Sequence, residues 1–268
     1  MTQSTLLIVF RLFLIMYKGT LSRTHKMKRI KQIETKGIHL FLCDDADEAR
    51  RLQAAGEPVV GVLTDENRDA DFSGISYLVE NPEEIDDEDY YRIWQRLKKL
   101  PWDILETERC KVRETTMEDV DSFYEIYKAP GITDYTEPLF ENPEDEVQYA
   151  IDYRENVYSL YGYGIWTVLD KATGKVIGRA GLTMREGFEE PELGYVIARE
   201  YQGQGIAAEV CKAILEYGHK ELGFTLIQAF TKRENLPSEM LLKKLGFTFD
   251  REELLGTEKF DCYILDMR

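Results

Sequence analysis

The stretch Gln202-Gly203-Gln204-Gly205-Ile206-Ala207 is the part of this chain best suited to hold a charged ligand. An apolar run over 192–198 precedes it and reads as a strand. The residues from Gly205 to Tyr217 read as a helix. A chain that leaves a strand through glycines and enters a helix has several N–H groups without intrahelical partners, with the positive end of the helix dipole behind them. That combination binds anions. Gly203 and Gly205 carry no Cβ, so a phosphate can approach the main chain, and Ala207 is nearly as small. The ligand predicted here carries a diphosphate. A Gly-x-Gly-x-x-Gly reading survives on spacing alone, with Ala208 in the third position. The Gly-Lys-Ser/Thr ending of a P-loop is absent.

The elements that must position this turn follow from periodicity. Cys110–Arg113 reads as a short strand, and Thr116 as the N-cap of a helix with Phe123, Ile126 and Tyr127 on its apolar face. A second helix is predicted over 143–161. Strands over 163–169 and 175–183 meet at Thr173-Gly174, a hairpin signal. After the glycine turn and its helix come a strand over 225–231, a helix over 237–245, and strands near 248–253 and 260–266. Gly223 and Gly246 stand where left-handed helix caps would be, each followed by phenylalanine. Upstream, apolar runs over 37–43, 58–63 and 75–79 alternate with helical patterns over 47–55 and 87–100. This order suggests a small parallel α/β unit.

Length and composition bound the rest. A chain of 268 residues suggests two domains, and 43% hydrophobic residues are enough for a core. The division predicted is a leader over 1–27, disordered or non-native; a small accessory α/β domain over 28–105; and a larger domain over 106–268. A net charge of −16 argues against a broad grip on nucleic acid. The apolar run Leu6 to Tyr17 is interrupted by Arg11 and is too short to span a bilayer, so no stable membrane insertion is expected. Cys43, Cys110, Cys211 and Cys262 stand far apart. With His25, His39 and His219 scattered, they suggest neither a disulfide framework nor a metal site, and a reducing, cytoplasmic setting is the simplest account.

The Gln-x-x-Gly-x-Ala spacing from Gln202 to Ala207 resembles the diphosphate loop of the GNAT acetyltransferase superfamily. A second, independent motif agrees. Asn235-x-x-Ser238 followed by Lys244-Leu245-Gly246-Phe247 resembles the Asn-x-x-Ser/Ala … Gly-Phe element of the same superfamily. The resemblance covers about 160 residues. It is nearest the branch that acetylates ribosomal-protein N-termini, through Glu192-Leu193-Gly194-Tyr195 before the loop. It implies an α/β fold of the α+β kind, with a mixed, largely antiparallel sheet flanked by helices. It also implies acetyl-CoA as co-substrate and no metal. Gln202, Gly203, Gln204, Gly205, Ile206 and Ala207 would hold the diphosphate. The main chain of Val196 and Ile197 would run along the pantetheine arm as an added strand does. Asn235 would meet the cofactor through its amide, or cap the last helix, or both. Ser238 is read as packing or capping, and Tyr195 as core.

The reaction sets its own demands. An alkyl amine of pKa ~10.4 costs about 4.6 kcal/mol to deprotonate at pH 7, whereas an α-amine of pKa ~8 costs about 1.4 kcal/mol. Glu192 is the candidate base, through a raised pKa or a bridging water. Glu186, Glu189, Glu190 and Glu192 could attract a cationic amine. Many members of the superfamily carry a tyrosine seven residues after the helix asparagine, and here that position is Leu242, so the acid step lacks its usual donor. The implied activity is N-acetyl transfer to a primary amine, either a protein N-terminus or a small molecule, by a monomer or homodimer. The alternative is a non-catalytic acyl-CoA sensor. The segment from Leu42-Cys43-Asp44-Asp45 to Val59-Val60-Gly61-Val62 resembles one piece of a haloacid dehalogenase-type phosphatase. Without an Asp-x-Asp nucleophile motif, Asp44 and Asp45 are read as solvated strand-end acids.

Overall fold

The computed structural model describes residues 30–268, and the predicted leader lies outside them. The described residues divide into two compact units, which part between Trp102 and Asp103.

The first unit is a four-stranded sheet in the order β1-β2-β3-β4. Strands β1 (Ile30–Thr35) and β2 (Ile38–Cys43) form an antiparallel hairpin. Lys36 and Gly37 turn it, both with positive φ, as a two-residue turn between right-twisted strands favours. Helix α1 (Ala46–Ala54) leads to β3 (Val59–Val62), which with β4 (Leu78–Val79) extends the sheet in parallel. The unit is therefore not wholly parallel as its apolar runs suggested. Along β3, Val60 and Val62 pack beneath α2 (Asp87–Leu97) with Tyr90 and Ile93, while Val59 faces Ala46 and Ala49 of α1. Asp45 is not a solvated strand-end acid. Its Oδ1 accepts from the Asp47 and Glu48 N–H groups at 3.1 and 3.0 Å, so it caps α1, and such a cap is worth about 1 kcal/mol.

The second unit carries an eight-stranded mixed sheet, ordered β11-β12-β10-β9-β8-β7-β6-β5. Its chain runs β5 (Asp103–Glu106), β6 (Cys110–Arg113), α3 (Val120–Tyr127), α4 (Pro143–Tyr153), β7 (Ile165–Asp170), β8 (Val176–Met184), β9 (Pro191–Ile197), α5 (Ile206–Lys220), β10 (Leu226–Thr231), α6 (Leu236–Lys244), β11 (Thr248–Leu255) and β12 (Glu258–Asp266). All neighbouring strands are antiparallel except β9 and β10. This is the predicted element order with one strand, β5, added at the sheet edge. Helix α4 continues through a π-helical stretch, Arg154–Tyr158, and a last turn, Ser159–Tyr161. Thr116 and Asp119 form a capping box ahead of α3, and Asp119 also takes Arg113 at 2.6 and 2.7 Å.

Helix α5 seats the glycine turn. Ile206, Val210, Cys211, Ile214 and Leu215 are buried along one side, and each fully buried branched side chain contributes roughly 1.5–3 kcal/mol. Gly218 lets the helix lie close on the sheet, since a Cβ there would stand 2.5 Å from Leu182 Cδ1. At the end of α6, Gly246 (φ 94°) donates to Lys243 O while Phe247 N–H reaches Leu242 O, the paired bonds of a Schellman cap.

Candidate active site

The site is built around β9. On one side β9 pairs with β8 over its whole length, from Gly178↔Ile197 to Met184↔Pro191. On the other side it meets β10 at a single register position, Gln228↔Glu192, and the parallel strands have no further pair towards their C-terminal ends. The result is a splayed pair of strands with main-chain groups facing the gap. Ala198 N–H donates to Ile177 O at 2.8 Å, which sets the alternation. Val196 turns its N–H and C=O towards β8, while Tyr195 and Ile197 turn theirs towards β10. This corrects the expectation for Val196, whose main chain is committed to the sheet. Its side chain packs on the α3 face, with Phe123 and Ile126. Tyr195, read from the sequence as core alone, supplies main chain to the gap.

The glycine turn opens at the C-terminal end of β9. Gly203 and Gly205 have φ of 71° and 79°, and Gly205 is the N-cap of α5 with no side chain capping it. That backbone region strains any residue with a Cβ. Residues Gln202 to Gly205 are exposed, and a Cβ placed on Gly203 would meet nothing within 4 Å. Gln202 N–H bonds Arg199 O and Glu209 N–H bonds Gly205 O. Between them, among the described residues, no backbone acceptor is recorded for the N–H groups of residues 203–208. Ile206 is buried in the helix seat and Ala207 is half-buried. The two glutamines brace the turn from within. Gln202 Nε2 donates to Ile197 O at 2.8 Å, and Gln204 Nε2 to Glu200 O at 2.6 Å. Open main-chain donors at a helix start, beside splayed strands, fit a diphosphate and the extended arm that follows it.

Across the gap, Asn235 caps α6, its Oδ1 accepting from Ser238 N–H at 3.3 Å. Ser238 Oγ lies 2.8 Å from the Tyr195 hydroxyl, which ties α6 to β9. Burial pushes the Tyr195 hydroxyl above its usual pKa, with the Ser238 hydrogen bond acting the other way. Leu242 is 1% exposed and belongs to the core.

At the other end of the gap, Glu192 sits on the α3 face beside the single β9–β10 pair. It is bound by Arg185, Nε to Oε2 at 2.6 Å and Nη2 to Oε1 at 3.2 Å, and its side chain is 12% exposed. The same contact raises the Arg185 guanidinium pKa, led by the Glu192 hydrogen bond. Arg185 also lies over the Phe230 ring, which meets Phe188 edge-on at 5.1 Å. Glu192 is legible in the sequence as a candidate base; Arg185 is not among the expected site residues, although both flank one hairpin and carry opposite charge. Glu186 and Glu189 are exposed in the turn between β8 and β9, and Glu190 O accepts from Gln228 Nε2. Among the described residues, no cluster of side chains is arranged to ligate a metal, and no helix is long and apolar enough to cross a membrane.

Comparison with known proteins agrees with this geometry. The family profile described as "Acetyltransferase (GNAT) domain" matches residues 109–248. The "Uncharacterized N-acetyltransferase p20" of Bacillus licheniformis is 32% identical over 147 residues, which span 53% of this chain and 81% of that protein. Two solved structures share the fold. One is a ribosomal-protein-S5-alanine acetyltransferase from Vibrio fischeri, with TM-score 0.53, 21% identity, and cover of 60% of this chain and 95% of that one. The other is a spermidine N-acetyltransferase chimera from Vibrio cholerae and hSSAT, with TM-score 0.51, 16% identity, and cover of 60% and 96%. The chain belongs to the GNAT acetyltransferase family and is an N-acetyltransferase of that family. Acetyl-CoA is the family's acetyl donor.

Proposed function

We propose that this enzyme transfers the acetyl group of acetyl-CoA to an α-amine of modest basicity, such as a peptide N-terminus or an amino compound. The observation that carries this reading is the Arg185–Glu192 pair at the closed end of the splayed strands. The donor supplies a thioester carbonyl, and the amine attacks it directly, with proximity as the main catalytic contribution. Main-chain N–H groups of residues 203–208 hold the diphosphate, Tyr195 and Ile197 line the arm, and Asn235 approaches from α6. Glu192 orients the incoming ammonium and accepts its proton directly or through a water. Arg185 already occupies both carboxylate oxygens, which leaves Glu192 a constrained base. An α-amine asks for about 1.4 kcal/mol of deprotonation at pH 7 and tolerates this, whereas an alkyl amine asks for about 4.6 kcal/mol. The acidic turn at Glu186 and Glu189 favours cationic acceptors. The N-terminal unit is an accessory domain.

The test is an acceptor screen read by release of the coenzyme thiol, pairing N-terminal peptides and amino acids against polyamines and aminoglycosides. Turnover highest with α-amines is expected. Turnover confined to polyamines would overturn the acceptor assignment. A second reading, an acyl-CoA sensor, is favoured by burial of Leu242 where a tyrosine acid could have stood. Acetyl-CoA binding with no turnover on any acceptor would select it.

A further inference from the structure

The turn that carries the glycines is locked by a residue far from it in sequence. Arg109 lies in the turn between β5 and β6. Its Nη1 donates to Gln204 O at 2.9 Å. Its Nε and Nη2 each reach Glu209 Oε2 at 2.7 Å, and its own N–H reaches Glu209 Oε1 at 2.9 Å. Two consequences follow from elementary geometry and charge. The peptide joining Gln204 to Gly205 is trans and planar, so its N–H points opposite to its C=O. A carbonyl held towards Arg109 therefore turns the Gly205 N–H the other way, to the open side of the turn. Gly205 makes this peptide unusually free to flip, since a glycine accepts either sign of φ. The second consequence is electrostatic. Glu209 is an acid in the first turn of α5, where the helix dipole favours negative charge and where a diphosphate would compete with it. Burial acts to raise the Glu209 pKa, but hydrogen bonds from Thr107 and Arg109 and the charge of Arg109 outweigh it and hold it below its usual value. The carboxylate stays ionised, and its charge is offset by the guanidinium.

We propose that Arg109 is a positioning residue for the diphosphate turn, aiming the Gly205 N–H through the Gln204 carbonyl and cancelling the charge of Glu209 at the helix start. The inference rests on the reading of this turn as the coenzyme site.

The experiment titrates CoA into the full-length parent, Arg109→Gln, Glu209→Gln and the double variant, with Arg109→Lys as the milder change, and follows acetyl-CoA kinetics alongside. Arg109→Gln is expected to weaken CoA by about tenfold or more, the scale of one hydrogen bond to a charged group, and to raise KM for acetyl-CoA while kcat at saturation holds. Glu209→Gln keeps the Arg109–Gln204 bond and is expected to bind CoA as tightly as the parent or more so. The double variant recovers part of the loss, and Arg109→Lys falls between parent and Arg109→Gln. With pantetheine, which carries no phosphate, the Arg109→Gln penalty should shrink to within about twofold. Equal losses in both single variants with no further loss in the double would reduce the pair to a structural tie and overturn the proposal, as would parent-like CoA affinity in Arg109→Gln. A parent that does not bind CoA removes the coenzyme site itself, an outcome distinct from either.

Discussion

The two ends of the gap between β9 and β10 are made from different material. The end at Gly203 and Gly205 is main chain: two left-handed glycines, a helix start without a side-chain cap, and a run of N–H groups. The end at Glu192 is side chain: a carboxylate gripped by Arg185 over an aromatic pair. Main-chain recognition depends on backbone angles and is indifferent to most substitutions that respect them. Side-chain recognition depends on which groups arrive, so it can be retuned residue by residue. Such a division lets the main-chain end stay fixed while the side-chain end is varied.

The contrast can be broken or sharpened by substitution at each end. The largest effect is expected at the side-chain end. Glu192→Gln should lower turnover on the order of a hundredfold, the lower range for loss of a positioned base, while acetyl-CoA affinity holds. A parallel loss of coenzyme affinity would show that the two ends are not separable. Next comes Gly205→Val, which forces a branched residue into the left-handed region at a cost of roughly 2 kcal/mol. Coenzyme dissociation measured by calorimetry should rise about thirtyfold, and a parent-like constant would mean the turn does not bind through its backbone. A smaller effect concerns acid. Because the folded Glu209 pKa lies below its ordinary 4.5, its stabilising contribution is complete above that value and is lost as pH falls through the lowered one. The parent's melting temperature should therefore drop more steeply below pH 4.5 than that of Glu209→Gln, and identical acid limbs would contradict the assignment. Smallest is Tyr195→Phe. It removes the bond to Ser238 and about 1 kcal/mol of stability, yet it leaves the main chain untouched, so coenzyme affinity should not move in the same calorimetric assay.

The same division explains what could be read in advance. Gly203 and Gly205 declared their backbone by residue type, since a glycine pair between a strand and a helix has few other uses. Asn235 declared a cap. The Arg109 clamp could not be found this way, because its partners lie 95 and 100 residues on and only the folded sheet edge brings them together. Arg185 was nearer, seven residues from Glu192, and an opposite-charge pair flanking a predicted hairpin was a usable signal. Val196 was misplaced by one step because the reading fixed the strand but not its register, and a strand exchanges its hydrogen-bonding side at every residue. Strands β1 and β5 are illegible in the sequence for another reason. Ile30–Thr35 is an edge strand with mostly polar, exposed residues, and Asp103–Glu106 has only two apolar positions, so neither writes a clear alternation. Asp45 reads as a solvated acid in the sequence because its helix begins one residue earlier than the apolar pattern suggests.

The single β9–β10 pair has a further consequence for amide hydrogen exchange. Strands β10 to β12 are joined to the rest of the sheet by one rung, so the amides of Tyr195 and Ile197 have no ladder partner to slow their exchange with solvent. A pantetheine arm laid along β9 would stitch the two halves of the sheet together, and protection would then rise first at those two positions. The coenzyme would then be both reagent and missing strand.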